Sequence, residues 1–227
     1  MSIHSEYDIV IFFDTETTGF DPVTCEITEF AYQMFKKGEF VSSDDVFFKL
    51  PSGHHVPQRV TEITGISDKL LEDRGINQKE FFVTKFLSKI PTGSHVLVIA
   101  HNAVFDMRFL YHTLLKNNIP FPIHWDVLDT LTMFRDRAEY PHKLSDAINF
   151  YRIINKTNSH RAIDDVEALI AVFEAMVKDR DDAMKYVNLI GYNPRYPINP
   201  NGEFPRIRFA PQELKPGKYM LYQKICS

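Results

Sequence analysis

Cysteine is scarce in this chain: Cys25 and Cys226 are the two among 227 residues. They could close at most one bridge and cannot supply a thiolate metal cage, so a disulfide scaffold is excluded. Such usage suits a reducing compartment, and the expectation is a cytoplasmic protein. Long apolar runs are missing as well. No segment reaches the ~18 apolar residues that a membrane span requires, so no membrane partner is expected. Met1 to Asp8 is polar, and the apolar run behind it is too short for a secretory signal, so nothing marks the chain for export. There is no His-Glu-x-x-His zinc helix, no Gly-x-Ser-x-Gly elbow and no phosphate-cradling glycine loop, which leaves other hydrolase readings without support. Internal repeats and low-complexity tracts are absent too. Nor is there an excess of positive charge: the formal net charge is −4, which on its face argues against a polyanionic partner.

That average conceals an uneven distribution. From Tyr186 to Ser227 there are six basic residues (Arg195, Arg206, Arg208, Lys215, Lys218, Lys224) and two acidic ones (Glu203, Glu213), so this tail carries +4 and the body −8. A 44% hydrophobic content over this length is enough to build a core, and disorder as the overall state is excluded. Ile9-Val10-Ile11-Phe12-Phe13 reads as a central strand buried on both faces. Ile27 to Phe35 and Glu39 to Leu50 follow as strands around a Lys36-Lys37-Gly38 turn. Further on, Gln78 to Ile90 reads as a helix, Val96 to Ala100 as a strand, Ala103 to Asn117 as a helix and Trp125 to Val127 as a short strand. Helices around Thr130 to Arg137, Leu144 to Tyr151 and Arg161 to Val177 complete the pattern. Strands first, then alternating strands and helices, predict an α/β domain with a mixed five-stranded sheet flanked by helices. The division expected is a domain over residues 1–185 and a basic, Pro- and aromatic-rich extension over 186–227. Six of the thirteen prolines lie in that extension, so no long helix forms there; it is an arm packed on the body or on a partner.

Acids recur at awkward places. Asp14 and Glu16 stand two apart at the end of the first strand, so a period of two puts both on one face. Either the pair is simply solvated, or one carboxyl takes a proton or a cation bridges them. Asp106 shares its helical stripe with Phe109, Leu110, Thr113 and Leu114, and Asp165 shares one with Ala162, Leu169 and Val172. An acid thus occupies a core position twice, and buried carboxylates persist only when paired or metal-bound. If all four converge, their oxygens select a hard cation such as Mg2+ or Mn2+, and two ions suit four carboxylates. His160 lies five residues before Asp165; it is either an ordinary surface histidine or, beside the same site, a group whose pKa suits proton removal from water.

Asp14-Thr15-Glu16-Thr17-Thr18-Gly19, His101-Asn102-Ala103-Val104-Phe105-Asp106 and His160-Arg161-Ala162-Ile163-Asp164-Asp165 resemble, in order and separation, the three motifs of DEDDh-type exonucleases. The similarity is to the proofreading epsilon subunits of bacterial DNA polymerase III and their stand-alone relatives, over roughly Asp8 to Lys178. The resemblance implies a ribonuclease H-like fold, two divalent cations (Mg2+ or Mn2+), and removal of nucleotides from a 3′ end. It implies that Asp14, Glu16, Asp106 and Asp165 are metal ligands and that His160 is the general base. Asp164 is at the wrong distance from His160 and is left out.

Thr17, Thr18, Gly19 and Phe20 are expected to receive the terminal nucleotide, with Gly19 permitting close backbone approach and Phe20 presenting an aromatic surface to a base. In relatives that place usually holds a leucine or similar wedge, and the other reading of Phe20 is ordinary core. Asn102 and Phe105 belong with the substrate-binding set by motif, the first as a backbone brace and the second as packing. His101 reads as structural, Asp129 as a helix cap, and Thr64-Gly65-Ile66 as a turn near the site. The expected partner is nucleic acid with a free 3′ end, single-stranded or frayed DNA, with a DNA polymerase or other replication protein as a second, in proofreading or repair. The rival readings are an exoribonuclease on the same scaffold and a non-catalytic nucleic-acid-binding module, although the latter would normally have lost a ligand. For the tail the choices are substrate contact, docking on a partner, or cover for the sheet edge.

Overall fold

The computed structural model describes residues 3–154, 161–196 and 202–225. A short helix α1 (Ile3–Glu6) leads into β1 (Ile9–Thr17), β2 (Ile27–Lys36) and β3 (Glu39–Phe47). Then come α2 (Gln58–Thr64), α3 (Asp68–Arg74), α4 (Gln78–Phe81), β4 (Val96–Ala100), α5 (Ala103–Lys116) and β5 (Asp126–Asp129). The chain continues with α6 (Thr130–Arg135), α7 (Leu144–Phe150), α8 (Ala162–Asp179), β6 (Leu189–Tyr192), β7 (Arg208–Pro211) and α9 (Leu221–Lys224). The main sheet runs β3-β2-β1-β4-β5, antiparallel among the first three strands and parallel from β1 to β5. This is the mixed five-stranded sheet that the strand order predicts, and with its flanking helices it is a ribonuclease H-like fold. No helix among the described residues is long and apolar enough to cross a membrane.

The apolar run at the start of β1 is buried throughout because the sheet is covered on both faces. Val10 and Phe12 enter one core with α6, α7 and α8, while Ile9, Ile11 and Phe13 enter a second with α5 and the aromatic segment after α4. This period of two decides where the acids go. β1 extends to Thr17, beyond the expected Phe13, so Asp14 and Glu16 lie within the strand and continue the α8-facing row.

Three elements depart from expectation. The helix over Gln78 to Ile90 is one α-helical turn followed by a π-helical turn, Phe82–Phe86, and a 3₁₀ turn, Leu87–Lys89. The wider turn lets Phe81, Phe82 and Phe86 all pack on Phe30, with ring centroids at 6.0, 5.2 and 5.3 Å. The segment after β3 forms α2 and α3, with Gly65 in the left-handed conformation (φ 74°) ending α2 and the Ser67 hydroxyl capping α3. Thr64-Gly65-Ile66 is the turn between them. Finally, the C-terminal extension contains a parallel pair, β6 and β7, set beside β5 through Asn188, whose N–H donates to the Val127 carbonyl at 2.7 Å.

Candidate active site

The site forms where β1 outlasts its parallel neighbour. Pairing of β1 with β4 ends at Phe12 and Ile99, whereas pairing with β2 continues to Thr17. Asp14 and Glu16 therefore project beside a strand edge toward α8. α8 buries Ala162, Val166, Leu169 and Val172 against the same core, and this amphipathic face carries Asp165 inward to meet them. Carboxylate oxygens of Asp14, Glu16 and Asp165 all lie within 4.8 Å of one another. Asp106 arrives from the opposite side of the sheet. It stands outside that trio, and its Oδ1 accepts the Thr15 N–H at 3.0 Å and the Thr15 hydroxyl at 2.8 Å. Thr15 faces the α5 side because Asp14 and Glu16 face the other. The α5 stripe is as expected: Asp106, Phe109, Leu110, Thr113 and Leu114 are all buried. His160 lies outside the described residues.

Burial and mutual repulsion hold these acids away from their ordinary behaviour. Asp14 sits well above the usual carboxylate range, first because it is desolvated and then because Asp106, Asp165, Glu16 and Glu29 surround it with like charge. Desolvation, followed by Asp165 and Glu29, pushes Glu16 up to about 8. Asp106 rises to about 7 by burial, against the opposing pull of its Thr15 bonds. Hard oxygen donors this close and this poorly solvated fit a divalent cation, which would return them to the ionised form.

Glu29 is the acid that sequence reasoning missed. It is fully buried on β2, paired in register with Glu16, and raised to about 7 by desolvation despite its bond to Arg161. The signal that exposed Asp106 and Asp165, an acid in an apolar stretch, was also present in Ile27-Thr28-Glu29-Phe30-Ala31.

The residues expected to receive substrate divide into two kinds. Thr17 and Thr18 are buried and fold their own loop: the Thr17 hydroxyl donates to the Gly19 carbonyl at 2.7 Å, and the Thr18 oxygen accepts the Glu26 N–H at 3.0 Å. The space left by Gly19 is taken by Cys25, whose Sγ would lie 2.7 Å from an added Cβ, so the glycine serves an internal contact. Phe20 is 91% exposed, which removes the core reading, and its ring sits 6.5 Å from that of Phe105. Phe105 in turn packs on Phe109 at 4.9 Å. Asn102 is left-handed (φ 72°) at the start of α5 and makes no side-chain cap; the brace is Asp129, whose Oδ1 accepts the Asn102 and Ala103 amides at 2.9 and 3.1 Å. Asp129 also accepts the Leu131 and Thr132 amides, so it caps two helices. His101 is structural, held between the Thr130 hydroxyl and the His142 carbonyl, each at 2.9 Å.

The RNase T family model, described as an exonuclease, matches residues 11–173. The PolC-type DNA polymerase III of Halalkalibacterium halodurans is 35% identical over 174 residues, covering 74% of this chain and 11% of that protein. Exonuclease DPD1, chloroplastic/mitochondrial, of Arabidopsis thaliana is 29% identical over 182 residues, covering 75% of this chain and 56% of its own. E. coli Exonuclease I, solved in complex with a dA16 oligonucleotide, superposes with a TM-score of 0.65 at 21% identity, over 76% of this chain and 41% of that one. The chain thus spans a small part of the polymerases it matches.

Proposed function

Since the chain belongs to the exonuclease family, we propose that it is a DEDDh-type 3′-5′ exonuclease, hydrolysing phosphodiester bonds at the 3′ end of DNA and releasing nucleoside 5′-monophosphates. The observation that carries this reading is the convergence of half-buried Asp14 and Glu16 with buried Asp165, with buried Asp106 beside them, at the end of the central strand. Asp14, Glu16, Asp106 and Asp165 would hold two divalent cations, Mg2+ or Mn2+. When bound, such ions lower the pKa of water and offset the charge of the scissile phosphate, which reconciles an acidic body with a polyanionic substrate. His160 takes the proton from the attacking water, since an imidazole titrates near neutral pH. Phe20, backed by Phe105, presents an aromatic face to the terminal base.

Single-stranded or frayed DNA is the proposed substrate, in line with the oligonucleotide complex of Exonuclease I. Residues 1–185 form the catalytic unit in this reading. The polymerase relatives extend far beyond the matched region, and a DNA polymerase or other replication protein is the proposed partner in proofreading or repair. The test is digestion of 5′-labelled single-stranded DNA, duplex, mismatched primer and RNA, with Mn2+ and with chelator. Shortening from the 3′ end of DNA that needs the cation, is abolished by Asp14→Asn and falls by ~10² to 10⁴ in His160→Ala is the expected result. No hydrolysis of any substrate would leave a binding module, and preference for RNA would leave the exoribonuclease.

A further inference from the structure

α8 begins without a cap of its own. Its first amides lack intrahelical partners, as at any helix start, and the preceding residue, Arg161, supplies no side-chain cap. The partner comes from β2 instead. Glu29 Oε2 accepts the Ala162 N–H at 3.2 Å, while Oε1 accepts Arg161 Nε at 3.0 Å and pairs with Arg161 Nη2 at 2.9 Å. Both carboxylate oxygens thus grip residues 161 and 162, and the negative charge lies where the helix dipole favours it. The guanidinium is confined from the other side by Asp45 at 3.5 Å and by the Phe47 ring at 5.2 Å. One turn further along, the Asp165 N–H closes the first helical bond on the Arg161 carbonyl at 3.1 Å. At its other end the linkage rests on β2, where Glu29 is the register partner of Glu16.

We propose that Glu29, acting through Arg161, is a positioning residue of the cation site: it fixes the α8 turn that bears Asp165 to the strand pair that bears Asp14 and Glu16. The inference rests on the cation-binding reading above. A buried ion pair is in itself weak support for stability, because desolvation offsets much of the attraction. Outer partners that orient metal ligands, by contrast, change affinity ~10- to 100-fold when removed. Glu29→Gln keeps the shape and one acceptor while removing the charge; Arg161→Lys keeps the charge while removing the paired contact.

Calorimetric titration of the full chain with Mn2+ at neutral pH, beside steady-state cleavage of single-stranded DNA and thermal unfolding, separates the roles. Glu29→Gln should bind Mn2+ ~10-fold or more weakly. Its kcat should fall while KM for DNA stays unchanged, and Arg161→Lys should lie between it and the native protein. Native Mn2+ affinity and kcat in Glu29→Gln, with only a lowered unfolding midpoint, would overturn the proposal. Should Glu29→Gln fail to fold, native Mn2+ affinity in Arg161→Lys would do so equally. If the native protein binds no Mn2+, or Asp14→Asn binds it as the native protein does, the cation-site reading itself fails. If Asp14→Asn loses binding and Glu29→Gln does not, only the positioning role fails.

Discussion

Asp14, Glu16 and Asp106 are acids that the folded chain discourages from ionising, and a direction of pH dependence follows. Their ordinary values are 3.8 for Asp and 4.5 for Glu, while in the fold Asp106 reaches about 7 and Glu16 about 8. Between those limits these acids hold more protons in the native state than in the unfolded state, so their contribution to cation-free stability is greatest at low pH and is lost as pH rises through the folded values. Urea midpoints in chelator should therefore fall from about pH 5 to about pH 8.5, and Mg2+ should restore them at the higher pH. Equal midpoints in chelator would contradict the burial argument. Phe20 is the opposite kind of residue, exposed, with its ring beside that of Phe105. Phe20→Ala should leave the unfolding midpoint unchanged and weaken single-stranded DNA binding on the order of tenfold, as measured by anisotropy, given ~1–3 kcal/mol for a stacked base.

Elements were legible in the sequence where one pattern dominates. β1 and β4 are short apolar runs buried on both faces, and α5 and α8 carry apolar stripes long enough to fix their inward sides, so Asp106 and Asp165 stood out within them. Glu29 carried the same signal, an acid in an apolar stretch, but its bonds to residues 161 and 162 join β2 to α8 across the fold, which no local pattern encodes. α2 and α3 are seven residues each and owe their bounds to single cap residues, too little for periodicity to register. The π-helical turn is a tertiary effect, set by how three phenylalanines fit around Phe30. The approach of Asp106 to Thr15 depends on β4 ending before β1, a matter of register that no local motif encodes.

Across the whole molecule the two cores are completed by the C-terminal extension. Leu189, Ala210 and Leu221 enter the α8-side core, and Ile190 and Phe204 enter the other, with Phe204 beside Tyr111 and Phe121. Two basic residues of this segment are engaged within the chain: Arg206 Nε donates to Asp126 at 3.0 Å and Arg208 Nη2 to the Ile225 carbonyl at 3.0 Å. Glu203 accepts from Arg108 Nε at 2.8 Å and lies 3.1 Å from His112 Nε2, which ties the extension to α5. Phe204→Ala should accordingly cost ~3–5 kcal/mol in denaturant unfolding, while the affinity for single-stranded DNA and its salt dependence stay unchanged. Altered salt dependence with full stability would make the extension a substrate arm. The central claim, that acids from β1, α5 and α8 form one cation-binding cup, is tested most directly by anomalous diffraction from crystals soaked in Mn2+. The account predicts two peaks bounded by Asp14, Glu16, Asp106 and Asp165; a map without a peak there would contradict it.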